Sequence, residues 1–203
     1  MARRLPRPPE PPDDLAQRRL ETLRLRGPFY RIHKKSHDPL FFGTTGLNRF
    51  DDPLGQYGVL YAAGDVFGSF VETAGHRTGV RFVEPAWVAE RALSEIVFRE
   101  PILVANLRGP NLARLGADGR LLAGEHPLPQ RWSRALWRHP RRVDALSYVV
   151  RHDLSRGGIA IFHRARRKIR ARFLADLDDP AFAAQLAAML ERYGFGGGPT
   201  PWL

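Results

Sequence analysis

Apolar positions fall in short clusters separated by polar, Gly- and Pro-rich stretches, and the spacing inside each cluster predicts a mixture of strands and helices. Residues 1 to 14 are proline-rich with mixed charges and predict an extended arm. Leu15, Leu20, Leu23 and Leu25 fall roughly on one face, which predicts a short amphipathic basic helix ending at Gly27-Pro28. Phe29-Tyr-Arg-Ile-His33 then alternates as a strand does, with Phe29, Arg31 and His33 on one face and Tyr30 and Ile32 on the other. Lys34 to Asn48 reads as a loop with a short extended piece at Leu40 to Phe42, and Arg49 to Gly58 as a turn-rich connection. Val59-Leu-Tyr-Ala-Ala63 is a compact strand. Asp65 is placed to cap a helix over Val66 to Thr73, with Phe67, Phe70 and Val71 inward and Glu72 at the edge of the apolar stripe.

Further strands are predicted at Val80 to Val83, around Val88 to Leu93 and at Ile96 to Leu107, with breaks at Pro85 and Pro101. Leu107 to Gly116 predicts a short helix closed by its glycine, followed by a turn at Ala117-Asp-Gly. Gln130 to His139 predicts a helix with Trp132, Leu136 and Ala135 inward that stops before Pro140. Val143 to Val150 and Gly158 to Phe162 read as core strands joined by the polar loop Arg151 to Gly157. After the basic run Arg164 to Arg172, Asp179 to Tyr193 carries an N-cap, a first-turn proline and helical spacing of Phe182, Leu186 and Leu190. Gly194 to Leu203 predicts an irregular tail. Clustered strands without regular βαβ alternation give an α+β class: one compact domain around a central mixed or antiparallel sheet. The expected division is an arm and short helix over 1–27, the domain over 28–193 and the tail over 194–203.

Composition narrows the chemistry. A chain of 203 residues, 43% hydrophobic, supports one substantial core. It contains no run of eighteen apolar residues, and a charged N-terminus without an apolar segment behind it predicts a soluble, unexported, cytoplasmic protein. Absence of cysteine excludes disulfides, thiolate metal sites and cysteine nucleophiles. The net charge of +11, mostly arginine, favours anionic partners such as nucleic acid, a phosphorylated small molecule or an acidic protein, although an Arg-rich composition also arises from genomic base composition. The run Arg164 to Arg172 fits either a solvated basic face or a nucleic-acid contact.

The P-loop, GxGxxG, GxSxG and HExxH patterns are all absent. His33, His37 and Asp38 span a strand end and a proline-containing loop, which does not fix a metal-binding geometry, and no metal is expected. Three residues stand out instead. Arg31 on a half-buried strand needs an anion or an acceptor, Tyr61 offers a flat ring and a phenol, and Glu72 follows on the helix edge. They fit an Arg31–Glu72 ion pair beside an ordinary core tyrosine. They also fit a site in which Arg31 grips phosphate, Tyr61 stacks on a ring and Glu72 stabilises positive charge on a ribose. Cleavage of a nicotinamide–ribose bond passes through an oxocarbenium-like state and releases a neutral leaving group, so a single carboxylate can suffice.

Taken together, Tyr30-Arg-Ile-His33, Asn48-Arg-Phe-Asp-Asp-Pro53, Tyr57-Gly-Val-Leu-Tyr-Ala-Ala63, Phe70-Val-Glu-Thr73 and Asp144 to Asp153 ahead of Ile159-Ala-Ile-Phe162 resemble the RES-domain family, with Leu5-Pro-Arg-Pro-Pro9 similar to the leader of its stand-alone members. The resemblance implies an α+β fold similar to ADP-ribosyltransferase toxins and an activity that degrades NAD, as hydrolase or phosphorylase, often as the toxin paired with an Xre-type antitoxin. It implies catalytic roles for Glu72, Arg31 and Tyr61, and substrate binding by Arg31, Arg49 and Tyr61. Arg49 is equally suited to a salt bridge with Asp51 or Asp52. The family's serine falls at Val150, and Ser147 lies on the opposite strand face. A valine there implies reduced activity, a different substrate, or another hydroxyl such as Ser155 in its place. Two other readings follow: ADP-ribosyl transfer to a macromolecule, and a non-catalytic binding module on the same scaffold. The partners that go with these readings are NAD, inorganic phosphate, the antitoxin, a second copy in a homodimer and nucleic acid, with no membrane.

Overall fold

A computed structural model describes residues 9–75, 79 and 81–197. The leader block before Pro9, Val80 and the tail beyond Gly197 lie outside the described residues. Eight strands form one sheet: β1 (Thr22–Leu25), β2 (Phe29–Lys34), β3 (Val59–Ala63), β5 (Arg91–Phe98), β6 (Ile102–Asn106), β7 (Ala145–Val150), β8 (Asp153–Phe162) and β9 (Ile169–Asp176). Their spatial order is β1-β6-β7-β8-β3-β2-β5-β9. Within this sheet only β6 and β7 run parallel, and the chain between them forms α3 (Asn111–Leu115), α4 (Arg120–Ala123) and α5 (Pro127–Arg138), the crossover that a parallel pair requires. The remaining helices are α1 (Val66–Ala74), α2 (Pro85–Ala89) and α6 (Ala183–Tyr193), and a parallel pair, β4 (Phe82–Val83) with β10 (Gly196–Gly197), stands apart. The fold is α+β with a large mixed sheet, as the apolar pattern predicts.

Three large apolar clusters and a small one, Ala63 with Val71 and Val150, pack on this sheet. Trp132 and Leu136 of α5 cover Phe50, Leu146 and Phe162. Leu60, Ile96, Ile159 and Ile161 form a second cluster with Leu40. Phe70 of α1 and Leu186, Met189 and Leu190 of α6 cover Ile32 and Leu93. The predicted α1 forms with its cap in place: Asp65 Oδ1 accepts from Gly68 N at 2.8 Å.

Several expectations are corrected. Leu15 to Arg26 is not a helix. A 3₁₀ turn covers Leu15–Gln17, and Thr22–Leu25 pairs with the edge of β6, so the sheet begins before residue 28. Leu15 and Leu20 are buried whereas Leu23 is 40% exposed, which suits an edge strand rather than one helical stripe. Pro85 opens α2 at its first turn instead of breaking a strand, so Val88 is helical. The polar stretch after Val150 is a two-residue turn at Arg151–His152, and β8 starts at Asp153. Ile169–Asp176, half of it within the basic run, is strand β9 paired with β5. Part of the tail is ordered as β10.

Candidate functional site

β2 and β3 are neighbours, yet only Tyr30 and Ala63 pair between them. Beyond that point they part. The Ile32 N–H donates to Ser69 Oγ of α1 at 2.7 Å, and Val59 at the far end of β3 pairs with loop residue Gly43. A cleft of about 260 Å³ lies at this split, lined by Arg31 and Ile32, by Tyr61 to Ala63, by Ser69 and Glu72, and by Arg49, Tyr148 and Arg151. Arg31, Arg49, Tyr61 and Glu72 therefore share one cleft.

The Arg31–Glu72 ion pair does not form. Arg31 instead donates from Nη1 to the Phe41 carbonyl at 3.0 Å, and among the described residues no carboxylate comes within ion-pairing distance. Burial pushes its pKa down to about 10, opposed by Asp38, so it remains a cation at neutral pH. Arg49 likewise pairs with neither Asp51 nor Asp52. Its Nη1 donates to the Gly124 carbonyl at 2.8 Å, and burial lowers its pKa with help from the neighbouring positive charge of Arg151. Asp52, 1% exposed, pairs with Arg134 of α5 at 2.6 Å, and fully buried Asp51 takes hydrogen bonds from Thr45, from the backbone and side chain of Asn48, and from Tyr61.

Tyr61 is tied into the same loop. Its hydroxyl donates to Asp51 Oδ1 and accepts from Phe50 N, both at 2.9 Å, and burial raises its pKa well above 10. The phenol fastens the loop, and Tyr61 is part of the cleft wall. From α5, Gln130 donates to the Gly46 and Asn48 carbonyls and Ser133 to the Phe50 carbonyl, so the loop carrying Arg49 is held along its length.

Glu72 hangs from α1 into the cleft. Its Oε1 accepts the Arg151 N–H at 2.9 Å, and Oε2 receives only a long contact, 3.4 Å, from the Tyr148 hydroxyl. Burial raises its pKa above the ordinary 4.5, opposed by the Arg151 amide, the Arg49 charge and the Tyr148 hydroxyl. A carboxylate with one lightly engaged oxygen facing guanidinium groups can stabilise a cation that develops beside it while the guanidinium groups hold an anion.

Tyr148, Ser69 and Arg151 were not singled out by sequence reasoning. Tyr148 alternates with core residues on β7 and looks apolar in function, and only the fold shows that its hydroxyl reaches Glu72. Ser69 lies three residues before Glu72, a spacing that places both on one helix face and could have flagged it.

Ser155 does not reach the cleft. It is exposed on β8, and its hydroxyl donates to Asp153 Oδ1 at 2.6 Å. Val150 is fully buried against Ala63 and Val71, and the residue of this pair that lines the cleft is Val149. Of the metal candidates, His33 has both ring nitrogens engaged, with Lys34 O and Ser94 Oγ, and His37 stacks on Phe41. Among the described residues no group of three His, Asp or Glu is placed to hold a metal, and no helix is long and apolar enough to cross a membrane. Within the basic run, Arg164 lies over the Trp137 ring, Lys168 pairs with Asp144 and Arg172 with Glu95.

Known proteins with similar sequence or fold agree with this architecture. The chain is 28% identical over 109 residues to a probable toxin, y4kH, of Sinorhizobium fredii (strain NBRC 101917 / NGR234), covering 53% of this chain and 84% of that relative. Its fold matches a chain of the crystal structure of the M.tuberculosis MbcT-MbcA toxin-antitoxin complex with a TM-score of 0.65 and 18% identity, over 87% of this chain and 98% of the other. The family model described as RES domain matches residues 28–185, and the chain therefore belongs to the RES domain family.

Proposed function

We propose that this chain consumes NAD by cleaving its nicotinamide–ribose bond, and that it is the toxin of a toxin–antitoxin pair with an Xre-type antitoxin. The observation that carries the enzymatic reading is that Arg31 and Arg49 enter one cleft in the company of Glu72 and, among the described residues, form no ion pair. Half-buried guanidinium groups that form no ion pair among the described residues favour an anionic ligand, and the bidentate geometry of arginine suits a pyrophosphate. The toxin reading is supported by one relative named a probable toxin and by a fold neighbour solved in a toxin–antitoxin complex.

In this mechanism the guanidinium groups hold the pyrophosphate and the Tyr61 ring packs on the nicotinamide. The bond from ribose C1′ to the nicotinamide nitrogen breaks, and its electron pair neutralises the pyridinium. The Glu72 carboxylate stabilises the oxocarbenium-like ribose, with Oε1 oriented by the Arg151 amide. Water or phosphate oxygen then bonds to C1′, and water loses its proton to solvent.

Incubation with NAD labelled in the adenosine half, with and without phosphate, separates the outcomes. Loss of NAD without phosphate identifies a hydrolase, and phosphate-dependent loss identifies a phosphorylase. Label on protein or nucleic acid identifies a transferase. Intact NAD under every condition contradicts the enzymatic reading and leaves a binding module.

A further inference from the structure

The split between β2 and β3 needs a physical cause, because two adjacent antiparallel strands gain by pairing along their whole length. Tyr30 pairs with Ala63, so continued register would set Ile32 opposite Tyr61. The Ile32 N–H points to that side of β2, and unpaired it would favour closing the ladder over the cleft. Ser69 prevents this. The residue is 4% exposed, and its Oγ takes the Ile32 N–H at 2.7 Å in place of a β3 carbonyl. A buried N–H left without an acceptor is costly, so this bond has consequences beyond its own strength.

The approach that makes the bond possible is also specified. Gly68 faces Ala63, and a Cβ at Gly68 would lie 3.1 Å from the Ala63 Cβ, so glycine lets α1 settle closely on β3. From that position one turn of helix presents Ser69 to the strand of Arg31 and, three residues on, Glu72 to the cleft. Thr73 Oγ1 donates to the Ser69 carbonyl at 2.8 Å and ties down the same turn.

We infer that Ser69 is a positioning residue, which holds β2 away from β3 and fixes Arg31 relative to Glu72. The kinetic part of this inference rests on the reading of the cleft as an NAD site, whereas the structural part does not. Ser69→Thr and Ser69→Val are nearly isosteric and differ in the hydroxyl, with Ser69→Ala as a smaller control.

The experiment measures, for each variant, thermal stability, hydrogen exchange of the Ile32 amide, and kcat and KM for NAD corrected for the folded fraction. We expect Ser69→Thr to resemble the parent. Ser69→Val and Ser69→Ala should change the exchange of Ile32 and raise KM about tenfold or more, with a smaller change in kcat. Equal kinetics for the Thr and Val variants, or a loss of stability with unaltered KM in the folded fraction, would overturn the positioning role. A parent protein that leaves NAD intact refutes the NAD reading alone, and the Ile32 exchange then decides whether Ser69 keeps the strands parted.

Discussion

The Tyr148 hydroxyl reaches Glu72 Oε2 over 3.4 Å because the residue across the β7–β8 ladder is Gly158. A Cβ at Gly158 would sit 2.6 Å from the Tyr148 ring, too close for any L side chain. The glycine thus makes room for the tyrosine that touches the carboxylate. Gly158→Ala is expected to displace the ring at a cost of about 1–3 kcal/mol, visible in thermal denaturation. Tyr148→Phe keeps the packing, removes a hydrogen bond that favours the Glu72 carboxylate, and should move the acid limb of turnover to higher pH.

In the proposed mechanism Glu72 sets the pH dependence of turnover. Its pKa is raised by burial, so the ionised form accumulates above the usual glutamate range, and turnover should rise with pH along a limb centred above 4.5. The linkage to stability has the opposite sense. A carboxyl whose folded pKa is raised contributes stability at low pH, and that contribution is lost as pH rises through the folded value. Glu72→Gln is expected to lower kcat by about 10²–10³-fold, to abolish the acid limb, and to leave the protein at least as stable at neutral pH. Paired pH–rate and pH–melting curves check both signs.

In the proposed mechanism Arg31 and Arg49 hold the anion while Glu72 faces the ribosyl cation. Hydrogen bonds to charged groups contribute about 1.5–3 kcal/mol, so Arg31→Ala or Arg49→Ala should weaken binding of ADP-ribose by roughly 10–100-fold at 1.4 kcal/mol per tenfold. Lysine restores the charge without the planar fork and should recover only part of the loss. Calorimetry with ADP-ribose measures this without turnover.

Val150 packs in an apolar contact with Ala63 and Val71 rather than facing the cleft. Val150→Ser would bury a hydroxyl among methyl groups at a cost of about 1–3 kcal/mol. It should lower the melting temperature and give no gain in activity. Increased turnover in this variant would mean that the serine can reach the substrate. Val149→Ser, by contrast, introduces a hydroxyl at the cleft wall.

The sequence pattern revealed the elements that carry Arg31, Tyr61 and Glu72, because β2, β3 and α1 each combine a clear period with clear punctuation at Gly27-Pro28, Gly58 and Asp65. It misread Leu15 to Arg26, where edge pairing with β6 overrode a helical-looking leucine spacing. It also left open whether Arg31 and Glu72 form an ion pair or face an open site. Which charges meet depends on the split between β2 and β3, a tertiary feature that the Ser69 hydroxyl enforces and that local periodicity does not encode. Ser155 lies away from the cleft for a similar reason: the turn at Arg151–His152 is shorter than the polar stretch suggested, and the strand that starts at Asp153 fixes the facing of the residues after it.

The most direct measurement is release of free nicotinamide from NAD by the purified protein beside a folded Glu72→Gln variant shown by calorimetry to bind ADP-ribose. Nicotinamide release by the parent, with loss of about 10²–10³-fold in the variant at similar ligand affinity, is the expected result. Equal release by both proteins, or none by the parent, would contradict a cleft in which Arg31 and Arg49 hold the anion and Glu72 stabilises the ribosyl cation.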